Sequence, residues 1–550
     1  MLALLRARRD AFILPTAYFL LLLFLYGSIS GLQYSRKGLG SLSVSHGTNY
    51  AEIANSTHTE LQALIQQGLD TSDFAGMADR VALFSRLANA ITQDRSLDYQ
   101  PLVALLRQQF HWWEPAWSIY APWNPRRWVK RRNTGIVICA GAHNFIYAGH
   151  LIRTLRNTLK SKLPIEIAYS GEADLPFANR AALKALDSNI EMLNLLDYFD
   201  DDIAGLQDGG FAQKPFAMLA SRFQKVILLD ADIIFLQKPD QIFDTEPGLA
   251  ETGALFWHDR AFVQIDDSST DRHSWFRGLM NGREPSSMLK KSLFWTQHIY
   301  HEMESGAVCM DKGRPGVFMS LVFATWMNTR EARGITYAHT YGDKEAFWMA
   351  AELSGAAYHF NPTYGAIMGY KLKRDAKVCG SQLLHLDVRN KPLWLNSSLR
   401  KNKHNGGSRE FATLTHWMAP GYNMSEQIGW DFGMEEGVDW CAHGGDIVEM
   451  SGEETRIVDH MIGVSSRVDI LLLPPPPERI DKEEKAAQEE KERKEKEEKE
   501  KEQEEKEDEE KEDEEEEEEE ENEKEGRKKK KGKGKEGKKE KEETAEKEEK

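Results

Sequence analysis

The feature that most constrains this chain begins at Gly135, where short apolar runs alternate with segments of helical pattern. GIVICAG reads as a buried strand, and NFIYAGHLIRTLRNTL as the helix after it. PIEIAYS with a helix around FANRAALKAL repeats the unit, IEMLNL with KPFAMLAS makes a third, and VILLDADIIFL supplies a fourth strand. Such alternation builds βαβ units and a largely parallel sheet. The fold class is therefore α/β, a Rossmann-like mixed sheet flanked by helices, whose ligands bind beyond the carboxyl ends of the strands. From TGALFWHD to QLLHLD, shorter strands mix with helices, which implies a second half folded onto the first.

The flanks differ in character. Residues 11–29, AFILPTAYFLLLLFLYGSI, approach the roughly 20 apolar residues that cross a bilayer as a helix. Arg6, Arg8 and Arg9 precede this run, so the short N-terminus (1–10) is expected in the cytosol and the rest in the lumen. A cleaved signal peptide ending near Ser28-Ile29-Ser30 is the competing reading, and it delivers the chain to the same pathway. With 11–30 as the anchor, 31–128 is expected to be a stem, carrying amphipathic patterns in ELQALIQQGL and DRVALFSRLANAI. Trp112, Trp113, Trp117, Trp123 and Trp128 close the stem, either as a cap on the next domain or as a platform for carbohydrate stacking.

Charge is segregated. The formal net charge is -17, but much of it lies after the prolines 474–477, where a Glu/Lys-rich tail has too few apolar residues to bury a core. The segment 129–473 keeps an ordinary globular composition, with no basic stripe of the kind that nucleic acids require. Of the four cysteines, Cys139 sits in an apolar strand and reads as a buried free thiol, while Cys309, Cys379 and Cys441 leave room for a bridge. No C-x-x-C pair supports a zinc site. Sequons at Asn55, Asn396 and Asn423 agree with a luminal location.

The chemistry is expected at Asp230 and Asp232, which leave a strand made of Val226, Ile227, Leu228 and Leu229. Burying a carboxylate costs several kcal/mol unless it is paired or binds a cation. Oxygen ligands suit Mn²⁺ or Mg²⁺, which in turn hold phosphate oxygens. Such a site neutralises charge growing on a diphosphate leaving group.

GIVICAG, LIRTLR, LPIEIAYSGEADL, KPFAMLASRFQKVILLDADIIFL, TGALFWHDR, ESGAVCMDK, YGDKEAFWMAAE and QLLHLD together resemble the fungal Golgi α-mannosyltransferases of glycosyltransferase family 71, over roughly residues 133–387. That resemblance implies a GT-A-like domain across 129–473, GDP-mannose as donor, Mn²⁺ or Mg²⁺, a mannosylated glycan acceptor and retention of the α configuration. It makes the chain a type II protein of the Golgi membrane, held by its N-terminal helix, with no nucleic-acid partner. It assigns Asp230 and Asp232 to metal and diphosphate, with His385 completing the metal site. Lys214 lies near the donor, and Ser305 and Gly306 shape the mannose pocket. Asp343 or Glu345 stands beside the reacting sugar, by analogy with the carboxylates of glycosidases. Asp259 is the candidate for gripping the acceptor, and the polar, aromatic segment 261–304 faces it as an insertion.

Two rivals use the same residues. Phosphatases of the haloacid-dehalogenase type also carry an apolar strand ending in D-x-D, but on the first core strand, whereas three strand-helix units precede it here. A non-catalytic glycan binder would need no intact carboxylate pair, and both aspartates are present.

Overall fold

The computed structural model describes residues 48–473 except 119, 126–132, 263–266, 298, 374, 404–408, 422–426 and 434–437, together with 493–494. The apolar run 11–29, the Glu/Lys tail apart from that dipeptide, and the Asn423 sequon lie outside the described residues. Among the described residues no helix is long and apolar enough to cross a membrane. The chain divides into two units at Leu473/Pro474, and both sheets with their helices belong to the first.

The first sheet has seven strands in the order β3-β2-β1-β4-β7-β6-β8. β1 (Thr134–Cys139), β2 (Ile165–Tyr169), β3 (Ile190–Asn194) and β4 (Lys225–Asp230) are parallel, as the alternation predicts. Ile136, Val137 and Ile138 of β1 and Val226 to Leu229 of β4 are fully buried, because helices cover both faces of a parallel sheet. β7 (Met303–Asp311) runs antiparallel to β4, and β6 (Ala254–His258) antiparallel to β7. β8 (His359–Phe360) lies parallel to β6.

The fourth apolar run is not one strand. β4 stops at Asp230, the chain turns through Ala231 and Asp232, and β5 (Ile234–Phe235) joins a second sheet. Ile233 N–H donates to the Asp230 carbonyl at 3.3 Å across that turn. The second sheet is antiparallel, built on β9 (Ala366–Lys371), β10 (Lys377–Leu386), β11 (Pro392–Asn396) and β12 (His416–Met418). β13 (Gly429–Phe432), β14 (Trp440–His443) and β15 (Val448–Glu449) complete it. β5 pairs with β11 through Trp394 and Phe235, so the D-x-D segment crosses from one sheet to the other.

The helices of the expected stem do not stand apart. α1 (Tyr50–Gln67), α2 (Phe74–Gln93) and α3 (Gln100–Gln109) pack onto the first sheet's helical layer. α2 buries Phe74, Met77, Val81, Phe84, Leu87 and Ile91. Amphipathic periodicity shows that a helix has an apolar partner but not which one. Trp112, Trp113 and Trp123 are buried, with Trp112 edge-on to Phe216 at 5.6 Å, so the cap reading holds for these three and the stacking platform does not.

In chain order the remaining larger helices are α4 (Phe145–Asn157), α5 (Phe177–Lys184), α6 (Gln213–Ala220), α7 (Asp267–Met280), α8 (Pro315–Met327), α9 (Arg330–His339), α10 (Lys344–Ser354) and α11 (Gly452–Leu472). α2 lies against α8 and α10. α7 gives the segment 261–304 helical structure that its sequence did not announce. α11 begins with a capping box between Ser451 and Glu454 and lies along α4. Its Asp469 accepts from His150 of α4 at 2.8 Å and from Arg400 at 2.7 Å. Cys379 and Cys441 form a disulfide, while Cys139 and Cys309 are free thiols.

Candidate active site

Topology gathers Asp230, Asp259, Ser305 and Gly306 at one edge. β1 and β4 end there, β7 begins there, and β6, antiparallel to β7, ends there too. Asp230 is the last residue of β4, beside Cys139 in the β1 register and one residue past Leu229, which pairs with Ala307. Cys139 is half-buried rather than fully buried, and burial together with Asp230 pushes its thiol up.

Lys214 of α6 reaches into this edge. Its Nζ lies 3.0 Å from Asp230 Oδ2 and 3.5 Å from Asp343 Oδ1, and it donates to Ser305 Oγ at 2.9 Å. Burial works against its charge, but Asp230, Asp343 and Glu304 outweigh that and raise its pKa. Burial also pushes Asp230 up to about 7 against the pull of Lys214, with Asp232, Asp343 and Glu304 adding to the rise. Asp343 sits at the N-cap of α10, and its Oδ2 is buried with no hydrogen-bond partner among the described residues. Burial raises its pKa as well.

Asp232 faces the second sheet. Its carbonyl accepts from Ser398 N–H at 2.7 Å, and its Oδ2 is paired with Lys403 Nζ. Ser397 and Ser398 both hold left-handed backbone, at φ 81° and 60°, a costly conformation that persists only where surrounding contacts fix it. Glu304 accepts from Gly306 N–H at 2.7 Å and from Asn396 Nδ2 at 3.0 Å. A Cβ on Gly306 would come within 2.8 Å of Glu304 Oε1 and of Ile233 Cδ1, so only glycine lets these groups meet. The Asn396 amide is thus engaged inside the fold, where the sequon reading would have carried a glycan.

Asp259, just beyond β6, is paired with Lys344 at 2.7 Å. Burial opposes its charge, yet Lys344, Arg260 and His301 hold it well below the usual carboxylate range. Glu345 is placed elsewhere. It is fully buried behind β7, bonded by Trp348 Nε1 and by the backbone N–H of Glu302 at 3.1 Å. His385 is also away from the pair. It stacks on Trp394 at 4.0 Å, and burial lowers its pKa to about 3. Among the described residues no three His, Cys, Asp or Glu side chains are grouped as a metal cage, so the trio of Asp230, Asp232 and His385 is not assembled.

The donor set nevertheless fits a divalent ion that shares its shell with phosphate. Among the described residues, Asp230, Asp232, Asp343 and Glu304 outnumber the close ammonium groups that face them, those of Lys214, Lys403 and Lys344. A diphosphate would meet net negative charge there unless a cation came with it. Mg²⁺ and similar ions are commonly held by one or two carboxylates plus substrate phosphates.

Glu304, Arg260 and Lys403 were not singled out from sequence, and Asn396 was read there only as a sequon. Glu304 lies in ESGAVCMDK, next to the two residues that were, and its signal was an acidic residue at the mouth of an apolar strand. Lys403 lies in a polar loop where nothing local marks it.

Residues 133–387 match the family model described as "Mannosyltransferase putative". The alpha-1,3-mannosyltransferase MNT3 of Saccharomyces cerevisiae is 24% identical over 285 residues, 44% of this chain and 43% of that protein. The alpha-1,3-mannosyltransferase MNN1 of the same yeast is 24% identical over 353 residues, 54% of this chain and 45% of its own. The chain spans about half the length, or less, of the curated relatives it matches. The X-ray structure of the mannosyltransferase Ktr4p from S. cerevisiae overlaps 42% of this chain and 68% of its own at 12% identity, with a TM-score of 0.28, too distant to bear on the site. Between residues 133 and 387 this chain is similar to the fungal mannosyltransferases that its sequence resembles.

Proposed function

We propose that this chain transfers an α-mannosyl residue from GDP-mannose to a mannosylated glycan, with retention, through a GT-A-type domain. The observation that carries the reading is the carboxylate excess at the strand edge, capped by the orphaned Asp343 Oδ2. Asp230 and Asp232 would hold Mn²⁺ or Mg²⁺, which offsets charge on the departing diphosphate when bound. Lys214 and Lys403 bring ammonium groups to the same place and orient phosphate oxygens. Asp343 would steady positive charge developing at the anomeric carbon, by analogy with the carboxylates of glycosidases. In the transfer, the bond from C1 to the diphosphate oxygen breaks and the acceptor oxygen bonds C1 on the same face. The acceptor's proton leaves with the diphosphate.

A Golgi membrane setting is part of this proposal. It draws on the apolar run 11–29 and on the Cys379–Cys441 bridge, since disulfides persist in oxidising compartments. The test is nucleotide release by the full chain from a panel of sugar nucleotides with Mn²⁺, with and without an α-mannoside. GDP release from GDP-mannose, increased by the mannoside and lost in Asp230→Asn and Asp232→Asn, is the expected result. Release from no donor, with mannoside binding retained, would replace the transferase by a glycan binder.

A further inference from the structure

Beyond residue 387 the chain builds a hairpin that the catalytic cluster does not use. In the antiparallel pairing of β13 and β14, Phe432 faces Trp440 and Trp430 faces Ala442, so the three aromatic side chains share one face of the ribbon. Asp431 and Cys441 lie on the other face, where Cys441 is bonded to Cys379 of β10. The aromatic face closes over the segment that leaves β6. Phe262 lies 5.1 Å from the Trp440 ring, and the Arg260 guanidinium lies 5.2 Å from Trp430 and 4.8 Å from Trp440. Phe432 lies 5.0 Å from Trp440, with the rings tilted by 59°, and is still 73% exposed, a large aromatic ring presented to solvent.

Two N–H groups on this face lack a hydrogen-bond partner among the described residues. Trp430 Nε1 and Arg260 Nε are buried without a hydrogen-bond acceptor among the described residues. The Arg260 charge is already offset by Asp259, Glu304 and Asp439, so the place does not call for an anion. Aromatic faces beside neutralised N–H donors match a neutral, polyhydroxylated ring, whose C–H face stacks while its hydroxyls accept. Glu304 acts on both Arg260 and Asp230, so this surface continues into the cluster around Asp230.

We infer that the aromatic face of the β13–β14 hairpin, with Phe262 and Arg260, is a pyranose subsite that holds the mannosylated acceptor beside Asp259. It rests on the mannosyl-transfer reading for the identity of the sugar. Phe432 supplies the outer stacking surface, Trp440 the inner one, and Trp430 and Arg260 the donors to ring hydroxyls.

The test is calorimetric titration of the full chain with α-mannobiose, with glucitol as an open-chain control. Phe432→Ala removes an exposed ring, and Trp430→Phe keeps a ring but removes the N–H; thermal midpoints of both are measured alongside. The expected result is binding of α-mannobiose and not glucitol, weakened about five-fold by Phe432→Ala and to a smaller extent by Trp430→Phe. No binding to the wild type, equal binding of glucitol, or wild-type affinity in both variants would overturn the subsite. GDP release from GDP-mannose without acceptor, measured on the wild type, separates the two readings. Release with unaltered mannobiose binding in the variants leaves the transferase standing without this subsite. Lost mannobiose binding in the variants, with no donor hydrolysed by the wild type, leaves the subsite standing without the transferase.

Discussion

Lys214 carries more of the site than its single charge suggests, because Asp230, Asp343 and Glu304 all act on it. Replacing it with methionine keeps much of the side chain's volume and leaves those carboxylates to face one another. Breaking a buried pair by removing one partner costs about 3–5 kcal/mol. Urea unfolding of Lys214→Met should show a loss of that order, and a loss under about 1 kcal/mol would mean the carboxylates are already relieved by water. Glu345 makes a different prediction. Burial raises it from 4.5 to about 7, so the folded chain prefers its protonated form. That preference stabilises the fold fully below about pH 4.5 and is lost as the pH rises through about 7. Its contribution is on the order of 3 kcal/mol. Glu345→Gln fixes the neutral form and should flatten this decline, read from denaturant midpoints between pH 4.5 and 7.

At the scale of elements, the β13–β14 hairpin is held by the bridge that links it to β10. Closing a loop with a sequence separation of 62 stabilises by about 4 kcal/mol in the chain-entropy description. The double variant Cys379→Ala, Cys441→Ala should lose about that much in denaturant unfolding, and its α-mannobiose affinity should fall even where the rest of the fold is intact. Legibility in the sequence also divides by element. The βα alternation was readable because strands buried on both faces must be apolar throughout. The break between β4 and β5 was not, since Ile233, Ile234, Phe235 and Leu236 continue the apolar run after Asp232 although the chain has changed sheets. Strands as short as His359–Phe360 and Val448–Glu449 carry too few residues for a period to show. Asp230 was legible because a carboxylate at the exit of an apolar strand is costly. Lys403 was not, because it reaches Asp232 across 171 positions of sequence.

For the whole molecule, ligand binding and stability are linked. A cation and nucleotide that bind only the folded chain stabilise it by about 2.7 kcal/mol at a hundredfold excess over Kd. Mn²⁺ with GDP should therefore raise the thermal midpoint of the wild type by a few degrees. Asp230→Asn should show none of that rise, a result independent of turnover. An equal rise in that variant would place the ion elsewhere.

The crossing of the chain between sheets at Asp230 and Asp232 has a consequence for how the protein comes to be active. Asp230 is set by the parallel strands, whereas Asp232 is held from the other side by Ser398 and Lys403. A copy that had assembled only its first half would own one carboxylate and lack the seat for the other. On the proposed reading, a site for the donor would therefore require both halves to have docked.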